Sequence, residues 1–409
     1  MVSKKESKRL NGAMLILAGT AIGGGMMAQP IASASFGFFG SIIILGILWA
    51  LMSYTALVTL EMNLYFKKGI SISGASEAVF GLLGKAVSTI TIGLLFYSLL
   101  SFYLAAGASI FKPILHSLFN WVIGDRSIIL AFLGIFGSLI VMHAVIVDAA
   151  NRILLSVKAI FFLIFFLALI PSVQPGLLAH LPSSSLQWSS LSFIIPMFFT
   201  SFGFHGSIPT LVDYLGVRPL LLKKAFFFGS LLPLLVYILW EGITLSVLPL
   251  EGPISFSAVQ QNGNDVGFFA ESLSLISQSS WVTLCCQMFI VTGLITAFLG
   301  VGIGLFDWVS EQITYKFKGI FKKALTAIGT FGIPVTFALF YPKGYLTALG
   351  FAAIFLSILA VIIPVLTVLI LRKRNEPTEY RAPFGTIGLL IALVFGIGII
   401  LIEIKNILF

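Results

Sequence analysis

Long apolar runs alternate with short stretches rich in glycine, proline, serine and charge along the whole chain. Eleven runs approach or exceed the roughly 20 residues that cross the hydrocarbon core of a bilayer as a helix. They read as 12–31, 38–65, 86–110, 128–147, 153–170, 191–208, 225–248, 269–306, 324–340, 346–371 and 385–402. The pattern predicts an all-α integral membrane protein of eleven transmembrane helices joined by short loops. No linker or shift in composition divides it, so residues 1–409 are expected to form one transmembrane domain.

Composition strengthens the reading. Hydrophobic residues make up 58% of the chain and charged residues only 10%, with a mean hydropathy of +1.09. Soluble domains average about 45–50% apolar residues. The formal net charge of +9 would suit a nucleic-acid binder only if it formed a basic patch on a soluble face. Here the basic residues lie between the apolar runs. With the amino terminus inside, nineteen of the 24 Lys and Arg residues fall on the cytoplasmic side, among them Lys4, Lys5, Lys8, Arg9, Arg152, Arg218 and Arg372. Lys112, Arg126, Lys343 and Lys405 fall on the opposite side, and Lys158 lies inside the fifth run. That asymmetry predicts a cytoplasmic amino terminus and, after an odd number of spans, a carboxyl terminus outside. The basic start resembles a signal n-region, but the run after it leads into further spans without a processing end, so it is expected to be retained. Cys285 and Cys286 are adjacent and define no disulfide scaffold.

Two runs are interrupted. The first contains Gly19-Thr20-Ala21-Ile22-Gly23-Gly24-Gly25-Met26 followed by Pro30, and the sixth contains Thr200-Ser201-Phe202-Gly203-Phe204-His205-Gly206 followed by Pro209. Each glycine costs a helix about 1 kcal/mol relative to alanine. Broken backbone at membrane depth is tolerated where it faces protein or a water-filled cavity. Gly24 and Gly203 stand 179 residues and five runs apart, an odd number that would turn a second copy upside down. Paired interruptions in two inverted halves point to the midplane site of a secondary transporter.

The stretches AGTAIGGGMMAQPIASASFG (18–37), TSFGFHGSIP (200–209), GSLLPLLVYILWE (229–241) and FLGVGIGLFD (298–307) resemble the hydroxy and aromatic amino acid permease family, in its tyrosine-specific and tryptophan-specific branch. The resemblance covers nearly the whole chain. It implies a bacterial inner-membrane symporter of the amino acid, polyamine and organocation superfamily, importing an aromatic amino acid, tyrosine foremost. It further implies proton coupling and a LeuT-type five-plus-five inverted repeat with broken helices 1 and 6. The repeats would cover about 11–171 and 189–372, with an extra helix at about 384–404. A sodium-coupled carrier, or one for another neutral amino acid, is the alternative within that fold.

The chemistry of the breaks suits a zwitterion. An unwound segment offers N–H groups to a carboxylate and free carbonyls to an ammonium. The expected main-chain ligands are Ala21, Ile22, Gly23, Gly24, Gly25 and Met26 with Thr200, Ser201, Phe202, Gly203 and Phe204. The hydroxyls of Thr20, Thr200 and Ser201 either join them or bond back to their own helix. An aromatic ring asks for an apolar, ring-lined pocket, for which Phe202, Phe204, Tyr97 and Phe102 are the candidates. His205 either donates to substrate and titrates during transport, or bonds a neighbouring group.

Lys158 is an ammonium within an apolar run, by default a functional candidate. It lies six residues past Arg152, about 9 Å along a helix, so its stem alternatively snorkels to the inner surface. In the family's wider fold, a lysine in span 5 takes the place of a sodium ion between spans 1, 5 and 8. The resemblance then gives Lys158 carbonyls near Gly19 and Ile22 and the hydroxyls of Thr292 and Thr296 as neighbours, with a proton as coupling ion. Glu61 and Glu241 lie near span ends as hydrated gate or packing residues, and Asp307 is expected to pair with Lys316 or Lys318. His116, His143 and His180 show no metal-ligand spacing with His205, and no cofactor is expected. No HExxH, GxSxG or Walker pattern supports an enzyme, and polar pore-lining repeats that would suit a channel are scarce. The expected partners are an amino acid and the lipid bilayer, with no nucleic acid.

Overall fold

The computed structural model describes all residues except 1–3, 67–69, 143, 180–187, 278–279, 314–318 and 409. Every regular element among the described residues is helical. Ten helices are long and apolar enough to cross a membrane, and a pair bent by 51°, Glu6–Ala21 with Gly25–Ser33, makes an eleventh span. The protein is therefore an all-helical, multi-pass membrane protein.

Span 1 is that bent pair. Span 2 is Phe38–Tyr65, span 3 Ile72–Phe119, span 4 Asp125–Met142 and span 5 Ala144–Leu169. Span 6 runs Trp188–Ser201 and resumes as Ile208–Leu215, and span 7 is Pro219–Val247. Span 8 is Ser280–Gln312, span 9 Gly319–Phe340 and span 11 Gly385–Leu408. Span 10 begins as Tyr345–Ser357, passes through a π-helical turn at Ile358–Ile362 and ends as Ile363–Lys373.

Three boundaries differ from the hydropathy reading. The run 269–306 is not one helix: its start belongs to a short helix, Val266–Ser277, and span 8 begins at Ser280. A continuous apolar run longer than one bilayer crossing need not be a single element. Residues 144–147, expected at the end of the fourth run, and 148–152, expected as a loop, belong to span 5 as helix. Span 3 starts earlier than expected, with Ser71 accepting a bond from the Gly74 N–H at 3.1 Å as its N-cap. Its first turns are broken at Gly81, whose φ of +68° lies in the left-handed region that favours glycine.

The connections alternate between two faces. On one face the start of span 1 meets the end of span 6, where Glu6 pairs with Arg218 at 2.5 Å and Arg9 bonds the Tyr214 carbonyl with its guanidinium over the Tyr214 ring. On the other face Lys112 pairs with Asp125 at 2.7 Å, the Tyr345 hydroxyl donates to the Asn264 carbonyl at 2.6 Å, and Asn406 donates to the Ser192 carbonyl at 2.7 Å. Ile160, Leu163, Ile164 and Leu167 of span 5, with Ile387, Ile391 and Val394 of span 11, are exposed. In water such faces would be a liability; in a bilayer they are the lipid contact.

Glu61 is not the hydrated group that its place near a span end suggested, being 0% exposed. Arg372, at the end of span 10, donates to its two carboxylate oxygens from Nε at 2.8 Å and Nη2 at 2.6 Å. The Ala382 N–H donates to the same carboxylate at 2.7 Å, and Arg372 Nη2 reaches the Ala382 carbonyl at 3.1 Å. One bidentate pair thus ties span 2, span 10 and the segment entering span 11. Removing a single partner leaves an uncompensated buried charge. Arg372→Met is expected to destabilise the protein by about 3–5 kcal/mol, and Glu61→Leu in that background to recover much of the loss. Thermal unfolding in detergent of the two variants checks this.

Candidate functional site

The two interrupted spans cross antiparallel. The first segment of span 1 packs on the second segment of span 6, and Gln29–Ser33 packs on Trp188–Ser201. The breaks meet in the middle, where a methyl on Gly25 would come 3.3 Å from Ser201 Oγ. The same close approach continues toward span 8: a methyl on Gly23 would lie 3.8 Å from Ala297 Cβ, and one on Gly293 would strike Met27 Cε at 2.7 Å.

Helix 1 gives way after Ala21, and the extended Gly23 leads into a 3-10 turn over Gly24–Ala28. Span 6 gives way after Ser201, with tightened turns in which the N–H groups of Phe202, Gly203 and Phe204 bond the carbonyls of Phe199, Thr200 and Phe202. Among the expected main-chain ligands, those three N–H groups are therefore already engaged locally.

Carbonyls at the break ends are held by side chains from spans 5 and 7. The buried Tyr237 hydroxyl lies 2.7 Å from both the Ala21 and the Ser201 carbonyl oxygens, the last residues of the two half-helices. Trp240 Nε1 donates to the Met26 carbonyl at 2.9 Å. Lys158, 4% exposed, donates from Nζ to the Ile22 carbonyl at 2.6 Å. Its ammonium thus ends on the break and does not snorkel to the surface.

The hydroxyls take the alternative reading. Thr20 bonds the Leu17 carbonyl, Thr200 and Ser201 both bond that of Met197, and Thr20 is exposed. Thr292 bonds the Met288 carbonyl at 2.6 Å and Thr296 that of Gly293 at 3.0 Å. Thr292 is buried and one residue from Gly293, where a methyl would come 3.6 Å from Lys158 Cδ. Gly19, by contrast, faces the Leu155 side chain.

Of the rings, Phe202 packs edge-on against Tyr237 with centroids 5.2 Å apart, and Phe204 stacks on His205 at 5.0 Å. His205 is buried, with Nε2 2.9 Å from Thr55 Oγ1 of span 2 and, among the described residues, no hydrogen-bond partner at Nδ1. Tyr97 lies elsewhere: its hydroxyl donates to the Gly329 carbonyl of span 9 at 2.8 Å and its ring meets Trp308. Trp308 is twelve residues past Thr296, about 18 Å along span 8. Phe102 packs against Tyr345 at the start of span 10. The next residue, Tyr103, is buried and lies in the neighbourhood of Tyr237, and sequence reasoning missed it. It also missed Tyr237 and Trp240. Their spacing of three, one face of a helix, was the available signal.

An open cavity of about 710 Å³ lies at the far face, lined by Lys112, His116, Asp125, Asp265, Glu271 and Lys343. His116 is exposed there, in the last turn of span 3. His143, His180, Lys316 and Lys318 lie outside the described residues, and with them the expected pairing of Asp307.

Crossing broken spans inside a multi-pass helical bundle define the class as a membrane transporter. The family model of the tryptophan/tyrosine permease family matches residues 5–403, and the chain belongs to that family. It is a family of transporters, not of enzymes. The chain is 33% identical to the tyrosine-specific transport system 1 of Haemophilus influenzae, over 94% of both chains. It is 30% identical to the tryptophan-specific transport protein of Pseudomonas aeruginosa, over 95% of this chain and 92% of that one. It is also 30% identical to the low affinity tryptophan permease of Escherichia coli, over 96% and 95%.

Tyr237→Phe leaves the Ala21 and Ser201 carbonyls without their shared donor. The expected loss is about 1–3 kcal/mol of stability, with a matching fall in the unfolding midpoint in detergent. A variant as stable as the wild type would show that those carbonyls find other partners.

Proposed function

We propose that the chain imports an aromatic amino acid, tyrosine foremost, by proton symport with alternating access. The observation that carries this reading is the meeting of the two breaks, Gly25 on Ser201, under the single hydroxyl of Tyr237. The opened N-terminal end of Gly25–Ser33 suits a substrate carboxylate, and the carbonyls around Ala21 and Ser201 suit its ammonium. Phe202, Phe204 and Tyr103 supply rings beside that point for an aromatic side chain. The tyrosine-named relative at 33% identity supports tyrosine as the first substrate to test.

The packing supports a five-plus-five inverted repeat over about 11–171 and 189–372, with the helix at about 384–404 outside it. Shifting span numbers by five turns the extensive contact of span 3 with span 10 into that of span 8 with span 5. The contact of span 1 with span 7 becomes that of span 6 with span 2. The charge asymmetry of the loops supports an amino terminus in the cytoplasm of a bacterial inner membrane.

Lys158 serves as the coupling group in this reading. Its ammonium occupies the place between spans 1, 5 and 8 where a sodium ion would otherwise sit, and two cations there would repel. Losing its proton removes a charge-assisted bond from the Ile22 carbonyl and loosens the span 1 break from span 5. The test is uptake of labelled tyrosine into proteoliposomes under an imposed pH gradient with sodium absent. Uphill accumulation, collapsed by a protonophore and competed by tryptophan and phenylalanine but not leucine, is expected. Lys158→Ala is expected to abolish gradient-driven accumulation while substrate binding persists. Uphill, pH-driven uptake by that variant would exclude Lys158 as the coupling group, and dependence on sodium would overturn proton symport.

A further inference from the structure

Beyond the breaks, the second segment of span 1 docks on span 7 through a group of buried polar side chains that the reading above does not use. Glu241 of span 7 is 0% exposed, and neither carboxylate oxygen has a hydrogen-bond partner among the described residues. Span 7 packs on Gln29–Ser33, whose Ser33 hydroxyl lies beside the Glu241 carboxyl group. Gln29, one helical turn before Ser33 and so on the same side, is also 0% exposed, with both amide atoms unpartnered. Ser41 of span 2, fully buried and likewise unpartnered, lies one turn after Phe38, whose ring packs 3.4 Å from where a methyl on Gly242 would sit.

Burial without a partner sets the state of the acid, and the hydrogen-bond inventory at Ser33 agrees with it. A hydroxyl has one hydrogen and two lone pairs. The Ser33 hydrogen is spent on the Gln29 carbonyl at 2.9 Å, so toward Glu241 it presents only lone pairs. An ionised carboxylate also presents only lone pairs, so it would gain the Ser33 hydrogen only by taking it from the Gln29 carbonyl. A carboxylic acid has the hydrogen that completes the contact.

Among the described residues no cation pairs with a charge there. Lys158, from span 5, is committed to the Ile22 carbonyl. Glu61 of span 2 is paired with Arg372 at the opposite end of that span. Asp265 accepts from Ser109 at 2.8 Å, and Glu251 and Glu271 are exposed. Tyr237, on span 7 itself, is committed to the break carbonyls, and Lys223 and Lys224 lie in that helix's first turns. Segment Gln29–Ser33, the described residues 170–178 and helix Phe256–Gln261 contain no ionisable side chain.

We propose that Glu241 is a second proton-binding site, buried as the neutral acid with its hydroxyl donated to Ser33 Oγ, and that release of this proton to water undocks the second segment of span 1 from span 7. The step breaks one O–H bond and transfers the proton to a water molecule. The carboxylate left behind then needs hydration, and water gains access only as the two elements separate. Its use in transport rests on the proton-coupled reading.

The test uses the full-length protein without substrate or gradient. Infrared difference spectra between wild type and Glu241→Gln at about pH 7 are expected to show the carbonyl stretch of a protonated carboxylic acid, shifted in deuterium oxide and present only in the wild type. Absence of that band shows an ionised Glu241 and overturns the proposal. Amide exchange across 26–36, corrected for the intrinsic effect of pH, is expected to lose about tenfold protection on raising the pH in wild type and to stay constant in Glu241→Gln. Equal responses overturn the undocking step. If the glutamine variant does not fold, Glu241→Asp replaces it, and the band must change frequency. Lys158→Ala is expected to retain the band, so failed proton-driven uptake and an ionised Glu241 are separate results.

Discussion

The structure depends on one requirement: backbone polar groups opened at membrane depth must find partners within the protein. Breaking spans 1 and 6 releases carbonyls that no water in a hydrocarbon core could satisfy. Tyr237, Trp240 and Lys158 supply donors to Ala21, Ser201, Met26 and Ile22. Span 7 is thereby registered on both breaks, and span 5 is pinned to the first from its other side. A phenol carries a single hydrogen, so the Ala21 and Ser201 carbonyls share the one that Tyr237 offers. If the broken spans part, that hydrogen stays with either carbonyl, and one interaction changes instead of two.

Close backbone approach is the second half of the same design. Gly25 lets Ser201 come into contact, and Gly293 clears the space taken by Met27 and the Lys158 stem. A small-residue seam between membrane helices gains its adhesion from van der Waals contact and from the polar groups it brings together. The outer fastenings are of another kind. The Glu61–Arg372 pair and the contacts of Tyr345 and Asn406 tie span ends to one another, away from the seam. The seam is thus held by neutral donors and one ammonium, while a buried ion pair bears on the ends.

Much of this was legible in the sequence. Hydropathy located the spans because each must be apolar over a fixed thickness, and the glycine clusters marked both breaks because no other residue type interrupts a buried helix so cheaply. Lys158 stood out because an ammonium in an apolar run needs a reason. Hydropathy failed where apolarity continues from one helix into the next, as from Val266–Ser277 into span 8, and where helix continues through polar residues, as over 144–152. The breaks were legible as locations, and the side chains around them less so. Tyr97 and Phe102 were chosen by span alone, and the helical phase turns Tyr97 to span 9 and brings Tyr103 toward Tyr237. Tyr237 and Trp240 look like ordinary membrane aromatics until the carbonyls opposite them are known.

The grips on span 1 share one polarity. The phenol, the indole and the ammonium all donate, because a helix that ends in mid-membrane exposes carbonyls at that end. A donor-rich lining has a consequence for the ligand. In the proposed reading the ammonium of an amino acid would compete with Tyr237 and Lys158 for the same oxygens, whereas its carboxylate would meet the N–H groups that begin the next segment. Neutralising Lys158 would therefore weaken a competitor at Ile22 at the same moment that it frees the break to move. Proton loss and ligand capture would then draw on one set of carbonyls, which is the kind of shared element through which two binding events become linked.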